Sequence, residues 1–586
     1  MKKASSWGIV LAVLVSMVLV VAFSDRSEAA NSNISPNLKK WMDPLPIPPI
    51  ATPGADALYP GADYYEITMT QHAHQFHSQL LPATVRTYGE NGQAGVYLGP
   101  TIVATTGKPV VIKYINLLPT NSFPLQASID PTILGGDLPT GRAVPHLHGG
   151  PTAAEYDGTP DQWWTADGIT GMDYVTDTFT YTNEQPASLL WYHDHAMGIT
   201  RHNPYLGLAA GYLLLDSIDD GATINGQKVP VAGGPYHLPI IIQDKAFNAN
   251  GTLFYPTVGL NAVHPIWVPE FFADVPVING KAYPFLNAEP RRYRLRLLNG
   301  SQARFYKLKF VTAVGNLPFY VIGSEGGLLP APVLKTSLLI APGERFDAIV
   351  DFTGLAAGTI ITLKNDAKAP YPAGQGGACT QLLQIRVNLP LTSIDDTVPP
   401  ASLVLPANPP LTPTPGVPPR DVVMQENMDP VTMTPIEVLL NGRHFTDPVA
   451  DFVKAGTTEI WQFINLTGDA HPMHTHLVQF QTLNRQAINL AGYTTAWNNY
   501  LAGLGAKPNL NNFLVGLPIA PAPEETGLKD TVKSYPGQVT RIVATFNLPS
   551  TSALNPVTIS YGKWVYHCHI LEHEENDMMQ PFEVIP

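Results

Sequence analysis

Cysteine and charge are both scarce in this chain of 586 residues. It contains two cysteines, too few for a disulfide framework. Charged residues make up 14% of it, against about 25% in an average soluble domain, which argues against coiled coils and long solvated helices. Basic residues number 34 against 47 acidic ones, and the net charge of −13 disfavours nucleic acid as a partner.

Long apolar runs are also absent, except at the N-terminus. There Lys2 and Lys3 precede an apolar segment over residues 8–23, and Ser27-Glu28-Ala29 has the small-x-small pattern of a cleavage site. We interpret residues 1–29 as a secretory signal peptide, with an uncleaved membrane anchor as the alternative. No later run is long enough to cross a bilayer. We therefore expect an exported protein with no membrane span in its mature chain, in the periplasm, at the cell surface or outside the cell.

Proline and glycine, by contrast, are abundant, with 57 and 48 residues, which predicts short strands separated by turns. A segment with strand-like alternation that ends at an asparagine occurs at residues 110–116, 293–299 and 459–465. The turn Pro342-Gly343-Glu344-Arg345 has an echo in Pro536-Gly537-Gln538-Val539. We predict an all-β chain built from three repeated sandwich or barrel units. A general likeness among β-sandwiches is the alternative.

The predicted boundaries between these units follow the composition. The first unit covers residues 30–220 and the second covers 236–392, with an Asp/Gly-rich stretch between them. Residues 393–420 form a proline-rich linker, which should be stiff and extended. The third unit covers 421–586.

Ten of the 17 histidines fall into four short clusters. The clusters are His146-Leu-His148, His193-Asp-His195, His471-Pro-Met-His474-Thr-His476, and His567-Cys568-His569 with His573. Residues i and i+2 of a strand face the same side, so each His-x-His presents two imidazoles together. Four such pairs supply more nitrogens than one ion can use. They imply a cluster of metal ions, for which copper and zinc are suitable.

Cys568 lies between two of these histidines, so on a strand its sulfur faces the opposite side. With His471, His573 and Met578 it provides the two histidines, one cysteine and one methionine of a blue-copper site. Met579 is the alternative axial ligand. A structural zinc site is disfavoured because the chain has no Cys-x-x-Cys.

Taken together, the four clusters resemble the signature of three-domain multicopper oxidases. Within that family they look most like bacterial laccases of the spore-coat type, with bilirubin oxidase as a near relative. The resemblance implies three cupredoxin-like Greek-key β-domains, of which the middle one is a spacer without copper. It also implies four copper ions per chain. Type 1 copper would bind His471, Cys568, His573 and Met578; type 2 copper would bind His146 and His474; the type 3 pair would bind His148, His193, His195, His476, His567 and His569.

The resemblance further implies an oxidase that couples one-electron oxidation of phenolic or aromatic substrates to the reduction of dioxygen to water. Electrons would arrive at an exposed edge of His573 and cross Cys568. The alternative is a metal-ion oxidase acting on Mn(II), Fe(II) or Cu(I), and for Mn(II) or Fe(II) this would need carboxylates beside His573. Asp157 and Glu574 stand where family members place proton-carrying acids. Alternatively, each orients a histidine by a hydrogen bond.

Three other features are set aside on the sequence alone. His72, His74 and His77 are interpreted as ordinary strand or surface residues, because no cysteine or acid accompanies them. Cys379 is interpreted as a free thiol in a glycine-rich loop, with intermolecular pairing as the alternative. Residues 496–523 are predicted to form a long loop in the third unit, which either borders the type 1 site or is a surface excursion.

Overall fold

A computed structural model of the protein describes residues 34–93, 95–549 and 561–586. The predicted signal peptide lies outside these ranges. Within them, no helix has both the length and the apolar character needed to cross a membrane.

The first unit consists of two four-stranded sheets. Its strands are β1 (Asp63–His74), β2 (Ala83–Glu90), β3 (Ile102–Thr105), β4 (Val110–Asn116), β5 (Pro145–His148), β6 (Thr178–Tyr181), β7 (Ser188–Asp194) and β8 (Ala209–Leu215). One sheet has the order β2-β1-β4-β6 and the other has the order β3-β8-β7-β5. A short helix, α1 (Asn203–Leu206), precedes β8.

The middle unit follows a small hairpin of β9 (Thr223–Ile224) and β10 (Gln227–Lys228). Its strands are β11 (His237–Phe247), β12 (Leu253–Phe254), β13 (Val275–Ile278), β14 (Lys281–Ala282), β15 (Phe285–Ala288), β16 (Arg292–Asn299), β17 (Tyr306–Thr312), β18 (Gly315–Leu317), β19 (Phe319–Ser324), β20 (Gly327–Lys335), β21 (Leu338–Ile340), β22 (Arg345–Asp351), β23 (Thr359–Asn365) and β24 (Gln381–Val387). One sheet follows β14-β13-β11-β16-β22-β19-β20, and the other follows β15-β24-β23-β17-β18.

The third unit again has two sheets, together with two helices. Its elements are β25 (Arg420–Met428), β26 (Pro435–Leu440), β27 (Asp451–Lys454), β28 (Thr458–Asn465), β29 (His471–Thr475), β30 (Phe480–Ile488), α2 (Leu490–Leu501), β31 (Leu514–Ile519), β32 (Leu528–Lys529), β33 (Thr531–Ser534), β34 (Gln538–Thr545), β35 (Lys563–Cys568), α3 (Leu571–Glu575) and β36 (Met579–Ile585). The orders are β26-β25-β28-β34-β30-β31 and β27-β36-β35-β29-β33.

The three asparagine-ended segments occupy equivalent places in these units. Each pairs in parallel with the first strand of a unit: β4 with β1, β16 with β11, and β28 with β25. The side-chain oxygen of Asn116, Asn299 or Asn465 then accepts the backbone N–H two residues later, at 2.8–3.0 Å. Because each asparagine closes its own turn in this way, the same strand and turn recur three times.

Apolar side chains fill the space between the paired sheets. A large buried cluster includes Tyr88 and Leu190 of the first unit, a second includes Leu297 and Phe346 of the middle unit, and a third includes Trp461 of the third. These cores hold rigid the strands that carry the histidines.

The predicted long loop at residues 496–523 is wrong. The segment contains the end of α2, a 3₁₀ turn at Leu510–Asn512 and the edge strand β31, which pairs with β30. Trp497 of α2 is buried and donates its indole N–H to Gln425 at 2.5 Å. Since neighbouring residues of a strand face opposite sides, α2 packs on the face of β25 opposite to Glu426.

Candidate metal centre

The four His-x-His pairs lie on or directly beside two pairs of hydrogen-bonded strands from the first and third units. In the first unit, β5 and β7 place His146 opposite His193. In the third unit, β29 and β35 place His474 opposite His567. The eight imidazoles are buried, so the two units enclose one histidine-lined site between them.

Ring nitrogens in this site fall into three groups whose ligand atoms lie within 4.8 Å of one another. The groups are His148, His193 and His569; His195, His476 and His567; and His146 and His474 together with His148. Within them, Nε2 of His193 is 3.5 Å from Nδ1 of His148, and Nε2 of His567 is 3.3 Å from Nε2 of His476. The first two groups each combine histidines from both units, so the site is complete only when the two units are together.

Backbone carbonyls hold several of these rings by their Nδ1 atoms. His146 Nδ1 lies 2.6 Å from the carbonyl of Asp157, and His474 Nδ1 lies 2.8 Å from that of Asp530. A carbonyl only accepts, so Nδ1 carries the proton and Nε2 presents its lone pair. Burial lowers the pKa of both imidazoles well below the ordinary value, which keeps them neutral as metal ligands must be.

This donor set fits copper. Nε2 of His146, Nε2 of His474 and both ring nitrogens of His569 are buried without a hydrogen-bond partner among the described residues. Burying a polar atom without a partner is costly, so these nitrogens are arranged for a ligand. Imidazole nitrogens grouped in threes are typical of copper or zinc.

Cys568 forms a second group on the opposite face of its strand. Its Sγ lies 3.5 Å from Nδ1 of His471 and 3.7 Å from Nδ1 of His573. Met578 is fully buried in the same apolar cluster as Cys568. Met579 instead packs in a separate cluster with Met197. These residues would offer a metal ion two imidazoles and a thiolate, with a buried thioether in the same apolar cluster.

Two buried carboxylates contact the histidines. Asp157 Oδ2 lies 2.7 Å from Nδ1 of His476, and Asp157 Oδ1 accepts the Thr152 hydroxyl at 2.6 Å. Burial raises the pKa of Asp157 to about 7. Glu574 lies 3.0 Å from Nδ1 of His567 and 3.4 Å from Nδ1 of His195.

The pKa values of these two acids are shifted in opposite directions. Burial opposes ionisation of Glu574 as well, but His567 and His195 outweigh it and lower the pKa of Glu574 to about 2. An ionised carboxylate only accepts hydrogen bonds. Glu574 therefore lies beside two imidazoles with a lowered pKa, whereas Asp157 lies beside the site with a pKa near neutrality.

The expected exposed edge of His573 is wrong. His573 is 1% exposed. It lies on α3, and residues of the middle unit cover this helix. Trp267 donates its indole N–H to the carbonyl of Glu572 at 3.0 Å, and Gln302 donates to the Glu572 carboxylate at 2.9 Å. An electron donor of aromatic size therefore has no direct contact with this ring in the structure.

Three carboxylates that the sequence analysis missed act electrostatically on one another or on Cys568. They are Glu270, before β13; Glu426, on β25; and Asp469, two residues before His471. We refer to Glu270, Glu426 and Asp469 as the outer acidic cluster. All three are partly exposed, and no lysine or arginine of the described residues pairs with any of them.

Charges within the outer acidic cluster shift the pKa values of its members and of Cys568. Burial, then repulsion from Asp469 and Glu426, raises the pKa of Glu270 well above its ordinary value. Burial and Asp469 likewise raise the pKa of Glu426. The pKa of the Cys568 thiol is raised chiefly by burial, but also by Glu270 and Glu426. Like charges brought together without a counter-ion favour binding of a cation.

The residues set aside from the sequence do not form a site in the structure. His72, His74 and His77 bind separate partners: the Thr87 hydroxyl, the Gly280 carbonyl and the Lys39 carbonyl. Cys379 is a free thiol, 3% exposed, and its Sγ donates to the Ala273 carbonyl at 3.5 Å. A thiol so buried cannot pair with another chain without local opening.

Comparisons with known proteins agree with this geometry. The family model described as multicopper oxidase matches residues 413–586. A laccase of Bacillus subtilis is 35% identical over 565 residues, covering 93% of this chain and 99% of the relative. Multicopper oxidase LPR1 of Arabidopsis thaliana is 36% identical over 541 residues, covering 89% and 88%. The McoA multicopper oxidase of Aquifex aeolicus shares the fold, with a TM-score of 0.67 at 24% identity over 94% of this chain and all of that one.

Proposed function

This chain belongs to the multicopper oxidase family, and we propose that its natural electron donor is a divalent metal ion, Fe(II) in particular, bound at the outer acidic cluster. The general reaction follows from the family: the protein is a laccase-like copper oxidoreductase that uses dioxygen as electron acceptor. The fold is that of the cupredoxin-like members.

For copper, we propose the assignment drawn from the sequence. His471, Cys568, His573 and Met578 would hold type 1 copper; His146 and His474 would hold type 2; and the two three-histidine groups would hold the type 3 pair. Bound copper would supply one-electron chemistry toward the donor and four-electron chemistry toward dioxygen. The protein supplies a dry, rigid site, neutral imidazoles and a thiolate. Cys568 lies between His567 and His569, so a few covalent bonds connect the sulfur to both three-histidine groups.

The observation that supports a metal-ion donor is the outer acidic cluster. No lysine or arginine in the part of the chain that the structure describes pairs with these three carboxylates. Two of them, Glu270 and Glu426, raise the pKa of Cys568, and His573 itself is covered. A small hydrated cation can bind at partly exposed carboxylates, whereas an aromatic donor would need contact with the buried ring. Asp469 is two residues before His471, so a cation bound by Asp469 would lie close along the chain to a type 1 residue.

Among metal ions, the ligand chemistry favours Fe(II). Carboxylates attract a trivalent product more strongly than a divalent donor, so binding makes electron loss easier. Cu(I) prefers soft thioether and thiolate ligands instead. A Met axial ligand should also hold the type 1 potential below the highest in the family, which disfavours Mn(II). The balanced reaction takes four Fe(II), one dioxygen and four protons to four Fe(III) and two waters.

Proton supply and location complete the proposal. Asp157, buried beside His476, would pass protons toward the site, and Glu574 would orient His195 and His567. The segment before the described residues has the pattern of a secretory signal, so the mature enzyme would act outside the cytoplasm.

Oxidation of phenols is the second candidate. The observation in its favour is that relatives from Bacillus subtilis and Bacillus stratosphericus, 35% and 36% identical, are both named laccases. For this function an aromatic donor would pass its electron through the residues that cover His573.

Oxygen uptake by copper-loaded protein tests the choice. The donors are Fe(II), Mn(II) and a methoxyphenol, each over a range of concentrations, with the enzyme-free rate subtracted. A higher kcat/KM for Fe(II) than for the phenol supports the proposal. The reverse order would replace it with the phenol-oxidase function, and a preference for Mn(II) would contradict the argument from the axial methionine.

A further inference from the structure

The turn Pro342-Gly343-Glu344-Arg345 of the middle unit reaches the histidine site. Gly343 has φ of 80°, and a Cβ added there would lie 2.9 Å from a ring carbon of His569 and 3.2 Å from one of His148. The equivalent Gly537 of the third unit also has positive φ, of 67°, but there the nearest atom would be a Leu490 methyl at 3.9 Å. Only the middle unit's copy of this turn is pressed against imidazoles.

Arg345, at the end of the same turn, connects all three units. Its Nη2 and Nη1 donate to Asp530 of the third unit at 2.6 and 2.8 Å. Its Nε donates to the carbonyl of Leu189 in the first unit at 3.0 Å. Arg345 and Asp530 are both buried. A two-pronged pair of this kind fixes the plane of the carboxylate as well as its distance.

Asp530 passes this constraint on to the histidines. Its Oδ1 lies 3.1 Å from Nε2 of His148, and its backbone carbonyl lies 2.8 Å from Nδ1 of His474. With Nε2 of His148 held by the carboxylate, Nδ1 faces Nε2 of His193, 3.5 Å away. The orientation of the His148 ring therefore depends on a carboxylate that a middle-unit arginine holds.

Further buried ion pairs anchor the segment that carries Asp530. Lys529 donates to Glu325 at 2.7 Å and to Glu344 at 3.1 Å, both of the middle unit. Lys533 also pairs with Glu344, at 2.5 Å. The residues on both sides of Asp530 are thus attached to the same turn of the middle unit.

We propose that Arg345 is a positioning residue for the three-copper cluster, acting through Asp530 on His148, and that the middle unit is part of the metal site rather than a spacer. Gly343 serves the same end, since its missing side chain lets the turn rest against His148 and His569. The inference rests on the copper assignment made under Proposed function, and it is independent of which donor the enzyme oxidises.

Two pairs of substitutions in the full-length, copper-loaded protein test it. Arg345→Lys keeps the positive charge but loses the paired hydrogen bonds to the two carboxylate oxygens of Asp530. Arg304→Lys is its control. Arg304 is likewise a buried middle-unit arginine paired with an aspartate, Asp244, at 2.9 Å, and none of its hydrogen bonds goes to a histidine of the described residues. Gly343→Ala is matched by Gly537→Ala, which bears the same positive-φ strain away from the rings.

The readouts are copper lost to a chelator over time, the electron paramagnetic resonance of type 2 copper, and the blue absorbance of copper on Cys568. We expect Arg345→Lys and Gly343→Ala to release cluster copper about 10- to 100-fold faster than wild type. Arg345→Lys should also alter the type 2 spectrum, because the backbone carbonyl of Asp530 contacts His474. The blue absorbance per chain should stay at the wild-type level. Arg304→Lys and Gly537→Ala should match wild type in all three.

Wild-type copper retention in both Arg345→Lys and Gly343→Ala would overturn the inference. So would equal losses in the two controls, or a parallel loss of blue absorbance, because either result would indicate general loosening. Should one variant fail to fold, the other pair still decides the question. Donor oxidation is not measured, so a failure here and a failure of the Fe(II) proposal are separate results.

Discussion

The carboxylate of Glu574 lies 3.0 Å from Nδ1 of His567, an imidazole on the strand that also carries Cys568. A second oxygen of the same carboxylate lies 3.4 Å from Nδ1 of His195. One acid in the third unit thus lies beside histidines from two units, both in the group completed by His476.

We expect Glu574→Gln to weaken copper retention or turnover by about 10- to 100-fold, because an amide cannot accept from both rings with full charge. Copper retention and turnover in Glu574→Asp should lie between those of wild type and those of Glu574→Gln. Copper content per chain and the rate of oxygen uptake measure the effect, with blue absorbance reporting the untouched Cys568 group. Full copper and full activity in Glu574→Gln would remove the orienting role.

Substitutions in the outer acidic cluster should change KM for metal-ion donors and leave KM for aromatic donors nearly unchanged. Glu270→Gln and Glu426→Gln should each raise KM for Fe(II), by about tenfold for a loss of about 1.4 kcal/mol of binding. The KM for a methoxyphenol should change little, since that donor needs no cation site. Asp396→Asn, at an exposed carboxylate paired with Lys228, is the control. Equal effects on both donors would indicate that the cluster shapes the type 1 region rather than binding substrate.

The same cluster predicts how Fe(II) oxidation depends on pH. Burial and repulsion from Asp469 raise the pKa values of Glu270 and Glu426 above the ordinary value of about 4.3. Below the raised pKa values the carboxylates are protonated, and protons compete with the cation. We expect KM for Fe(II) to fall as pH rises toward about 8, the raised pKa of Glu426, and to fall less steeply in Glu426→Gln. A KM that rises with pH in the wild type would contradict the proposal.

Much of the fold and of the histidine site follows from local sequence pattern. His-x-His on a strand places both rings on one face whatever the tertiary structure, and an asparagine that closes its own turn is a local device. The structure brings these pairs together because β5 and β7, and β29 and β35, are neighbours. Which strands are neighbours depends on the whole sheet. The spacing of the histidines alone did not predict that the four pairs meet, whereas the family resemblance did.

The outer acidic cluster and the contacts of Arg345 could not be predicted in this way. Glu270, Glu426 and Asp469 come from three distant segments, and only Asp469 has a signal, its position just before His471. The helix α2 was missed for another reason. Its N-cap Asn489 and its buried Tyr493 and Trp497, four residues apart, were visible. Its glycine, threonine and asparagine residues are poor helix formers, so packing against β25 outweighs propensity here.

Met578 and Met579 offer a test of the axial position. Met578 is buried with Cys568, whereas Met579 packs with Met197 in a separate cluster. Met578→Leu should raise the reduction potential of the blue site, because a thioether ligand is lost. Met579→Leu should leave it unchanged. Each swap conserves volume and should cost less than about 1.5 kcal/mol in copper-free protein. Redox titration of the blue absorbance measures the difference, and equal shifts in both variants would argue against Met578 as the ligand.

Acid stability should depend on Asp219, in the segment between the first and middle units. Arg294 and Arg296 donate to its carboxylate at 3.0 Å, and all three residues are buried. Burial opposes ionisation, but the two arginines outweigh it and lower the pKa of Asp219 below its ordinary value. A lowered pKa means that the pair stabilises the folded protein above the ordinary aspartate pKa of about 3.9, and that this stability is lost as pH falls below it.

We therefore expect Asp219→Asn to destabilise the copper-free protein by about 3–5 kcal/mol near neutral pH, because two buried arginines lose a partner. The gap between wild type and variant should narrow as pH falls below about 4, because Asp219 of the unfolded wild-type chain then takes up a proton while the folded carboxylate stays ionised. Thermal unfolding at a series of pH values measures it, with Asp396→Asn as an exposed counterpart whose melting temperature should follow wild type throughout. A gap that stays constant into acid would show that the loss comes from packing and not from the charge of Asp219.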